Sequence, residues 1–476
     1  MNGPSTPLAP AAPAAGNLKQ GMFVTNDGRN VLFTFVIVSS LFLLWGFCNG
    51  MIDVMDKHFQ EELHLNLSQS AWIQFAHYLG YFLMSLPAGW LATKFGYKGG
   101  IIFGLLLVAV GGFWFIPATK IVAFWAFLLG VCLIASGLTF LETVANPYTT
   151  VLGSQRFAAT RINLAQSCNG IGWILGPIAG ATFFYSKDAA GRSTGSQTLW
   201  IPYAGVGVIV IVLAVIFYFA SVPDIKAEDD YRLDDSRADS PHSIWGHPHF
   251  TMAVAAQFFY VAAQSGIFSF LINYMTTQPP AIPAGWVAYT NSRAADSAGL
   301  LQGFFQGWFE PNKEGIICVS NKLASYLASL GFVCFLTGRF TGAALLRRYS
   351  AHRMLGLYGV MNVLMCLLVF CKLGWLSVVC VFLSYFFMSI MFPTIFALGI
   401  FGLGARAKKA SAYIVMAIMG GALLPKVMGF VADRYDISRG FIVPLACFVF
   451  VAYYGFNWPS FSKADSLQGP GLRRGH

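Results

Sequence analysis

Apolar residues in this chain come in long blocks: Val31 to Cys48, Gly100 to Ala118, Ile201 to Val222 and Met354 to Cys371 each run without a single charged residue. Each block approaches or exceeds the roughly 18 apolar residues that mark a helix able to cross a membrane. The overall composition agrees. Only 11% of the residues are charged and 56% are hydrophobic, against about 25% charged in an ordinary soluble domain. A water-soluble globule is excluded, and the chain is read as an all-α membrane protein.

Helices of about 20 residues with polar breaks between them give twelve transmembrane spans. Their limits are 31 to 54, 69 to 93, 98 to 118, 121 to 150, 159 to 185 and 200 to 222, then 248 to 275, 320 to 346, 353 to 371, 374 to 401, 410 to 432 and 440 to 459. The tail 1–30 is rich in Ala and Pro, lacks a signal-peptide cleavage pattern and reads as a disordered cytoplasmic tail, with a second tail at 460–476. Of the nine cysteines, Cys48, Cys132, Cys334, Cys366 and Cys380 fall inside apolar spans without metal-type spacing, so neither a metal nor a disulfide role is expected.

The net charge of +10 is a topology signal rather than a nucleic-acid footprint. The loops after spans 2, 4, 8 and 10 hold Lys94, Lys98, Arg156, Arg161, Arg347, Arg348, Arg353, Arg406, Lys408 and Lys409 with no acidic residue among them. Opposite loops mix signs, as in Asp56, Lys57, Glu61 and Glu62, or Asp433, Arg434, Asp436 and Arg439. The positive-inside rule then puts the even-numbered loops and both termini in the cytoplasm of a multi-pass protein of the cell membrane.

The segment 223–247 breaks the apolar pattern with Asp229, Asp230, Asp234, Asp235 and Asp239 and reads as a cytoplasmic linker. Punctuation repeats on either side of it. Gly89 to Lys94 ahead of span 3 is echoed by Gly342 to Arg347 ahead of span 9, Pro147 by Pro393, and Pro177 by Pro425. Two pseudo-symmetric six-helix bundles, 31–222 and 248–459, are the plan of major facilitator transporters, whose substrate site lies between the halves near the midplane. The loops after spans 2 and 8 resemble that superfamily's Gly and basic signature, although Thr93 stands where an Asp is usual. A long external segment, 276–315, carries Pro279, Pro280, Trp286, Trp308 and Phe309. It reads as a surface loop, with a lid over the cavity as the alternative.

Nearly all of the 20 acidic residues fall in loops, tails or helix ends, and Asp53 and Glu142 are the exceptions. An ionised carboxylate at the bilayer centre costs roughly 2.5 to 3.5 kcal/mol, so such a group is a functional candidate. Glu142, in the middle of span 4, is the expected proton carrier, and the competing reading is a static partner for Arg339 or Lys426. Asp53 lies nearer a span end, where capping or hydration is the alternative. In span 5, Asn163, Gln166 and Asn169 at i, i+3, i+6 make a polar stripe, either interhelical hydrogen bonding or amides that pair with sugar hydroxyls. Gln264 and Gln74 are lonelier candidates of the same kind, and Trp45, Tyr78 and Tyr260 are aromatics able to stack on a sugar ring. No GxxxxGK[ST], HExxH, GxSxG or paired CxxC occurs, which argues against an ATP-driven pump and against an enzyme, and no cofactor is expected.

Trp45-Gly46 followed by Asp53, then LETVANPYTTVLG at 141–153 and NLAQSCN at 163–169, resemble the L-fucose permease family. GRFTGAALLRRYSAHRML at 338–355, FPTIFALGI at 392–400 and MGFVAD at 428–433 resemble the same family in the second half. The resemblance implies a major facilitator protein that imports a monosaccharide, with several family members working by proton symport. It implies a sugar-recognition role for Asp53 and a proton-coupling role for Glu142, and it matches the family's span 5 amides to Gln166 and Asn169 and its span 7 glutamine to Gln264. One departure is Gly50, with Asn49 beside it, where L-fucose permease has Asn three residues before the span 1 acid. The expected substrate is therefore L-fucose or a hexose such as glucose or galactose, carried with protons by a monomer in a lipid bilayer. A sugar sensor, or a uniporter without proton coupling, is the alternative.

Overall fold

The computed structural model describes residues 22–24, 29–121, 123–152, 158–185, 198–220, 244–296, 304–311, 316–346, 348–401, 403 and 407–462. Most of the expected linker and of both tails, with Arg156, Arg347 and Arg406, lie outside the described residues. The rest is almost entirely helical, as a chain in lipid must be when every backbone N–H and C=O needs a partner within its own segment.

The first half contains α1 (Leu32–Glu62), the one-turn α2 (Leu67–Ser70), α3 (Trp72–Ile121), α4 (Phe124–Val151), α5 (Ala158–Phe184) and α6 (Trp200–Phe219). The second half contains α7 (Pro248–Thr277), α8 (Ala284–Asp296), α9 (Asn321–Leu345), α10 (Ala351–Phe370), α11 (Trp375–Met388) and α12 (Met391–Ile400). After these come α13 (Ala407–Met416), α14 (Gly420–Arg434), the one-turn α15 (Ile437–Gly440) and α16 (Ile442–Ser462). Among the described residues, ten stretches are long and apolar enough to cross a membrane. The first part of α3 and α5 complete the twelvefold pattern, and their hydropathy is lowered by Gln74 and His77 and by Asn163, Gln166 and Asn169.

Local chemistry explains the interruptions. α3 turns from span 2 into span 3 at Gly96, whose φ of +72° is in the region that favours glycine. Pro393 lies in the first turn of α12, just past the break from α11. Pro425 inside α14 cannot donate to the Gly421 carbonyl four residues back, and Ser265 of α7 supplies that carbonyl with a donor at 3.2 Å. Close packing relies on small residues: Gly46 and Gly50 of α1 face Gly172 and Gly176 of α5. A Cβ on Gly46 would collide with the Asn169 carbonyl, and one on Gly172 with the Leu43 carbonyl. In the second half, Gly359 of α10 meets Ala452 of α16 in the same manner.

Three expectations are corrected. α1 runs on to Glu62, so Asp56, Lys57 and Glu61 are helical rather than in a loop. Asp56 is fully buried, which makes it a third acid inside the helices besides Asp53 and Glu142. Arg161 is not a loop residue either: it is buried within α5, with Nε donating to the Thr149 carbonyl and Nη1 to the Met22 carbonyl. The 276–315 segment is partly regular, with α8 and a two-stranded antiparallel pair, β1 (Phe309–Pro311) and β2 (Ile317–Val319). Its aromatic contacts with the helices, Trp286 with Trp375 at 5.8 Å and Phe304 with Tyr326 at 5.0 Å, are with α11 and α9, and none of its described residues lines the central cavity.

Candidate functional site

The two halves meet along α1, α3 and α5 on one side and α7, α9 and α14 on the other. At that junction a small cavity of about 10 Å³, room for about one water molecule, is lined by residues that include Asn49, Asp53, Gln74, His77, Trp173 and Ser265. Asp53 is 5% exposed. Its Oδ1 accepts from Gln74 Nε2 at 2.9 Å and from Ser269 Oγ at 3.4 Å, while Ser265 Oγ lies 3.4 Å from Gln74 Oε1. One carboxylate thus gathers α1, α3 and α7. Asn49 Oδ1 and His77 Nδ1 are buried beside it without a partner among the described residues, so the wall offers polar atoms to spare, next to Trp173 and Phe268. Acceptors and donors set against aromatic rings suit a ligand that carries hydroxyls on a carbon ring.

Glu142 occupies a different setting. It is half-buried on α4, close enough to Tyr78 and Tyr81 to act on them electrostatically. Tyr81 accepts from Trp45 Nε1 at 2.7 Å. Among the described residues, neither Arg339 nor Lys426 forms an ion pair with Glu142. Arg339 lies 5.0 Å from the Phe335 ring, and Lys426 lies 3.5 Å from the Trp72 ring. Gln166 donates to Asn146 Oδ1 at 2.9 Å, joining α5 to α4 on the same side of the site.

The end of the molecule that carries α2 is closed. Asp433 of α14 accepts from the backbone N–H groups of Leu67 and Ser68 at 2.9 Å each, Asn273 of α7 donates to Gln60 Oε1, and Asn321 donates to Glu61. Ser329 Oγ reaches the Ile174 carbonyl at 2.8 Å, and the Tyr78 ring packs against Gly421, where a Cβ would come within 2.5 Å of it. These contacts between the two halves lie in one part of the molecule, from the level of Asp53 to α2.

The structure therefore joins Asp53 and Gln74 at the cavity, sets Trp45 and Glu142 beside Tyr81, and ties Gln166 to Asn146 of α4. It commits others to packing in this state: Asn169 is buried with Nδ2 on the Phe42 carbonyl at 3.2 Å, and Tyr260 is fully buried with its hydroxyl on the Met388 carbonyl at 3.0 Å. Gln264 is half-buried and makes no side-chain hydrogen bond among the described residues. Asn163 lies on α5, and its side chain is outside the described residues. Sequence reasoning missed Asn49, His77, Ser265 and Ser269. A histidine in an apolar span was a usable signal for His77, whereas serines are too common in such helices to stand out.

Comparison with known proteins follows this geometry. The Major Facilitator Superfamily pattern matches residues 32–279. The chain is 32% identical to the L-fucose-proton symporter of Escherichia coli (strain K12), over 89% of this chain and 93% of that protein. It is 30% identical to the glucose/galactose transporter of Brucella abortus biovar 1 (strain 9-941), over 90% and 95%. The solved structure of the E. coli fucose:proton symporter in its outward conformation superposes with a TM-score of 0.61 at 32% identity, covering 90% of this chain and 99% of that one. A D-xylose-proton symporter structure superposes with a TM-score of 0.65 over 92% and 100% of the two chains, and at 13% identity it speaks for the fold alone.

Proposed function

Because the chain belongs to the L-fucose permease family of the major facilitator superfamily, we propose that it imports a monosaccharide together with protons by alternating access. The reading is carried by the cavity between the halves, where Asp53 and Gln74 stand beside the unpartnered Asn49 Oδ1 and His77 Nδ1. Relatives named an L-fucose-proton symporter and a glucose/galactose transporter support it, and they leave L-fucose and the two hexoses as the candidate cargo.

In this reading the bundles 31–222 and 248–459 rock about the cavity in a cell membrane, with α2 outside and both termini in the cytoplasm. The protein works as a monomer. Asp53, Gln74 and Trp45 hold the sugar, together with Gln166, Asn169, Gln264, Asn163 and Tyr260 as the halves open. Gln166, Asn169 and Tyr260 must exchange their present partners for sugar hydroxyls. Glu142, which pairs with no cation among the described residues, takes up and releases a proton in each cycle, and Asp53 shares in that coupling. A cavity with room for about one water molecule does not admit a sugar, so loading requires the halves to separate around Asp53.

Uptake by proteoliposomes against labelled L-fucose, glucose and galactose, with and without an imposed proton gradient, tests the proposal. Accumulation of one of these only under the gradient is expected. Equilibration that the gradient does not change would leave a uniporter, and binding without any flux would leave a sensor.

A further inference from the structure

Asp56 stands one turn beyond Asp53 on α1, on the same face and nearer α2. It is fully buried. Its Oδ1 accepts from Gln60 Nε2 at 3.3 Å, the Ser70 hydroxyl of α2 stands within hydrogen-bond reach of the carboxyl, and Oδ2 has no partner among the described residues. The charged and titratable groups around it are few: Asp53 and Lys57 on its own helix and Tyr185 past the end of α5, while α2 and α7 face it with the uncharged Ser70 and Asn273. Lys57 pairs with Glu61 at 3.6 Å rather than with Asp56.

Closure and this carboxyl are joined through Gln60. The amide nitrogen of Gln60 donates to Asp56 and, at 2.8 Å, to Ser70, and its oxygen accepts from Asn273 of the opposite half. When the halves meet at the α2 end, Asp56 is covered with no cation bonded to it. An ionised carboxylate buried in that way costs several kcal/mol, whereas a protonated one escapes most of the cost. When the halves part, water reaches Gln60 and Asp56 and favours the ionised form.

Resting on the symport reading above, we propose that Asp56 is a second proton-binding carboxyl of the transport cycle, loaded from the α2 side, whose protonation accompanies closure of that end. A proton arriving from that side meets Asp56 before Asp53 and Glu142. The chain thus carries a separate proton site for the outer gate, distinct from the coupling group deeper in the bundle.

Closure is measured without sugar or gradient by introducing Ser265→Cys, buried at the junction of the halves, into the full-length protein in liposomes. Its rate of modification by a membrane-impermeant maleimide, divided by that of the exposed Asn66→Cys so that thiolate ionisation cancels, is followed against pH, with the nine native cysteines as the control background. Closure linked to one proton slows labelling by up to tenfold for each unit of acidification across the titration range. In Asp56→Asn most of that pH dependence disappears and labelling stays slow, and in Glu142→Gln the dependence remains. Asp56→Leu, which has no proton to bind, gives the same flat profile should the Asn variant fail to fold. Asn273→Ala speeds labelling at every pH and keeps the slope. A slope unchanged in both Asp56 variants, or a flat profile in the parent, overturns the proposal. Because no transport is measured, that failure is distinct from failure of symport, which the gradient-driven uptake assay reads.

Discussion

Asp53 accepts from two neutral donors, while Glu142 stands near two tyrosines and pairs with neither Arg339 nor Lys426. That contrast sets separate expectations for the two. A membrane potential of about 100 mV is worth roughly 2.3 kcal/mol per charge, enough for roughly 50-fold accumulation of a neutral sugar. Glu142→Gln imitates the protonated group, so counterflow exchange should survive while accumulation falls from that level to equilibrium. Asp53→Ala strands the Gln74 and Ser269 donors and removes a charged acceptor worth about 1.5 to 3 kcal/mol, so exchange and accumulation should both be lost. Uphill uptake by Glu142→Gln under a pH gradient would remove it from the coupling role. Both acids were legible in the sequence because a charge stands out in an apolar run. Asp56 was not, since it adjoins Lys57, Glu61 and Glu62, and the burial that singles it out comes from α2 and α7, far away in sequence.

At the level of helices, the α2 end is held by contacts whose removal has a defined direction. Asp433 caps Leu67 and Ser68 from across the interface. Asp433→Ala should cost the closed state about 1 kcal/mol, a shift of about fivefold toward opening. Faster labelling of Ser265→Cys would show it, and an unchanged rate would mean that the cap does not hold the gate. Gly421→Leu would drive a side chain into Tyr78 and should prevent closure altogether, abolishing exchange while the protein remains folded. Behind the gate, Asp436 pairs with Lys372 at 2.8 Å. Partial burial raises its carboxyl, but the Lys372 ammonium and the backbone N–H groups of Arg439 and Ser438 outweigh this and hold it below the usual carboxylate range. Its contribution is present above the ordinary value of about 3.9 and fades as pH falls through the lowered one, and Lys372→Met should cost under about 1 kcal/mol. Helix existence was readable from hydropathy throughout. The α1 terminus was misjudged because charged residues suggested a loop, although no Gly or Pro occurs between Val54 and Asn66 to end the helix.

The whole molecule is asymmetric along the membrane normal in two independent ways, and together they yield the last prediction. The closed end carries mixed charge, with Asp433, Asp436, Arg439, Lys57 and Glu61 exposed or paired near it. The opposite end gathers Lys94, Lys98, Arg348, Arg353, Lys408 and Lys409 around the helix ends that also carry Leu32 and Ser462. Insertion retains Lys and Arg on the cytoplasmic side, so the α2 end should be external and a sugar should enter past Asp56 and Asp53 before meeting Glu142. Cysteine labelling in intact cells decides the matter. Asn66→Cys, exposed at the start of α2, should react with impermeant reagents even though loss of its cap on Gln69 costs about 1 kcal/mol. Thr93→Cys and Ala407→Cys should react only with permeant ones. Reaction of Thr93→Cys from outside would reverse the orientation, turning the proposed import route into export and placing the Asp56 gate on the cytoplasmic side.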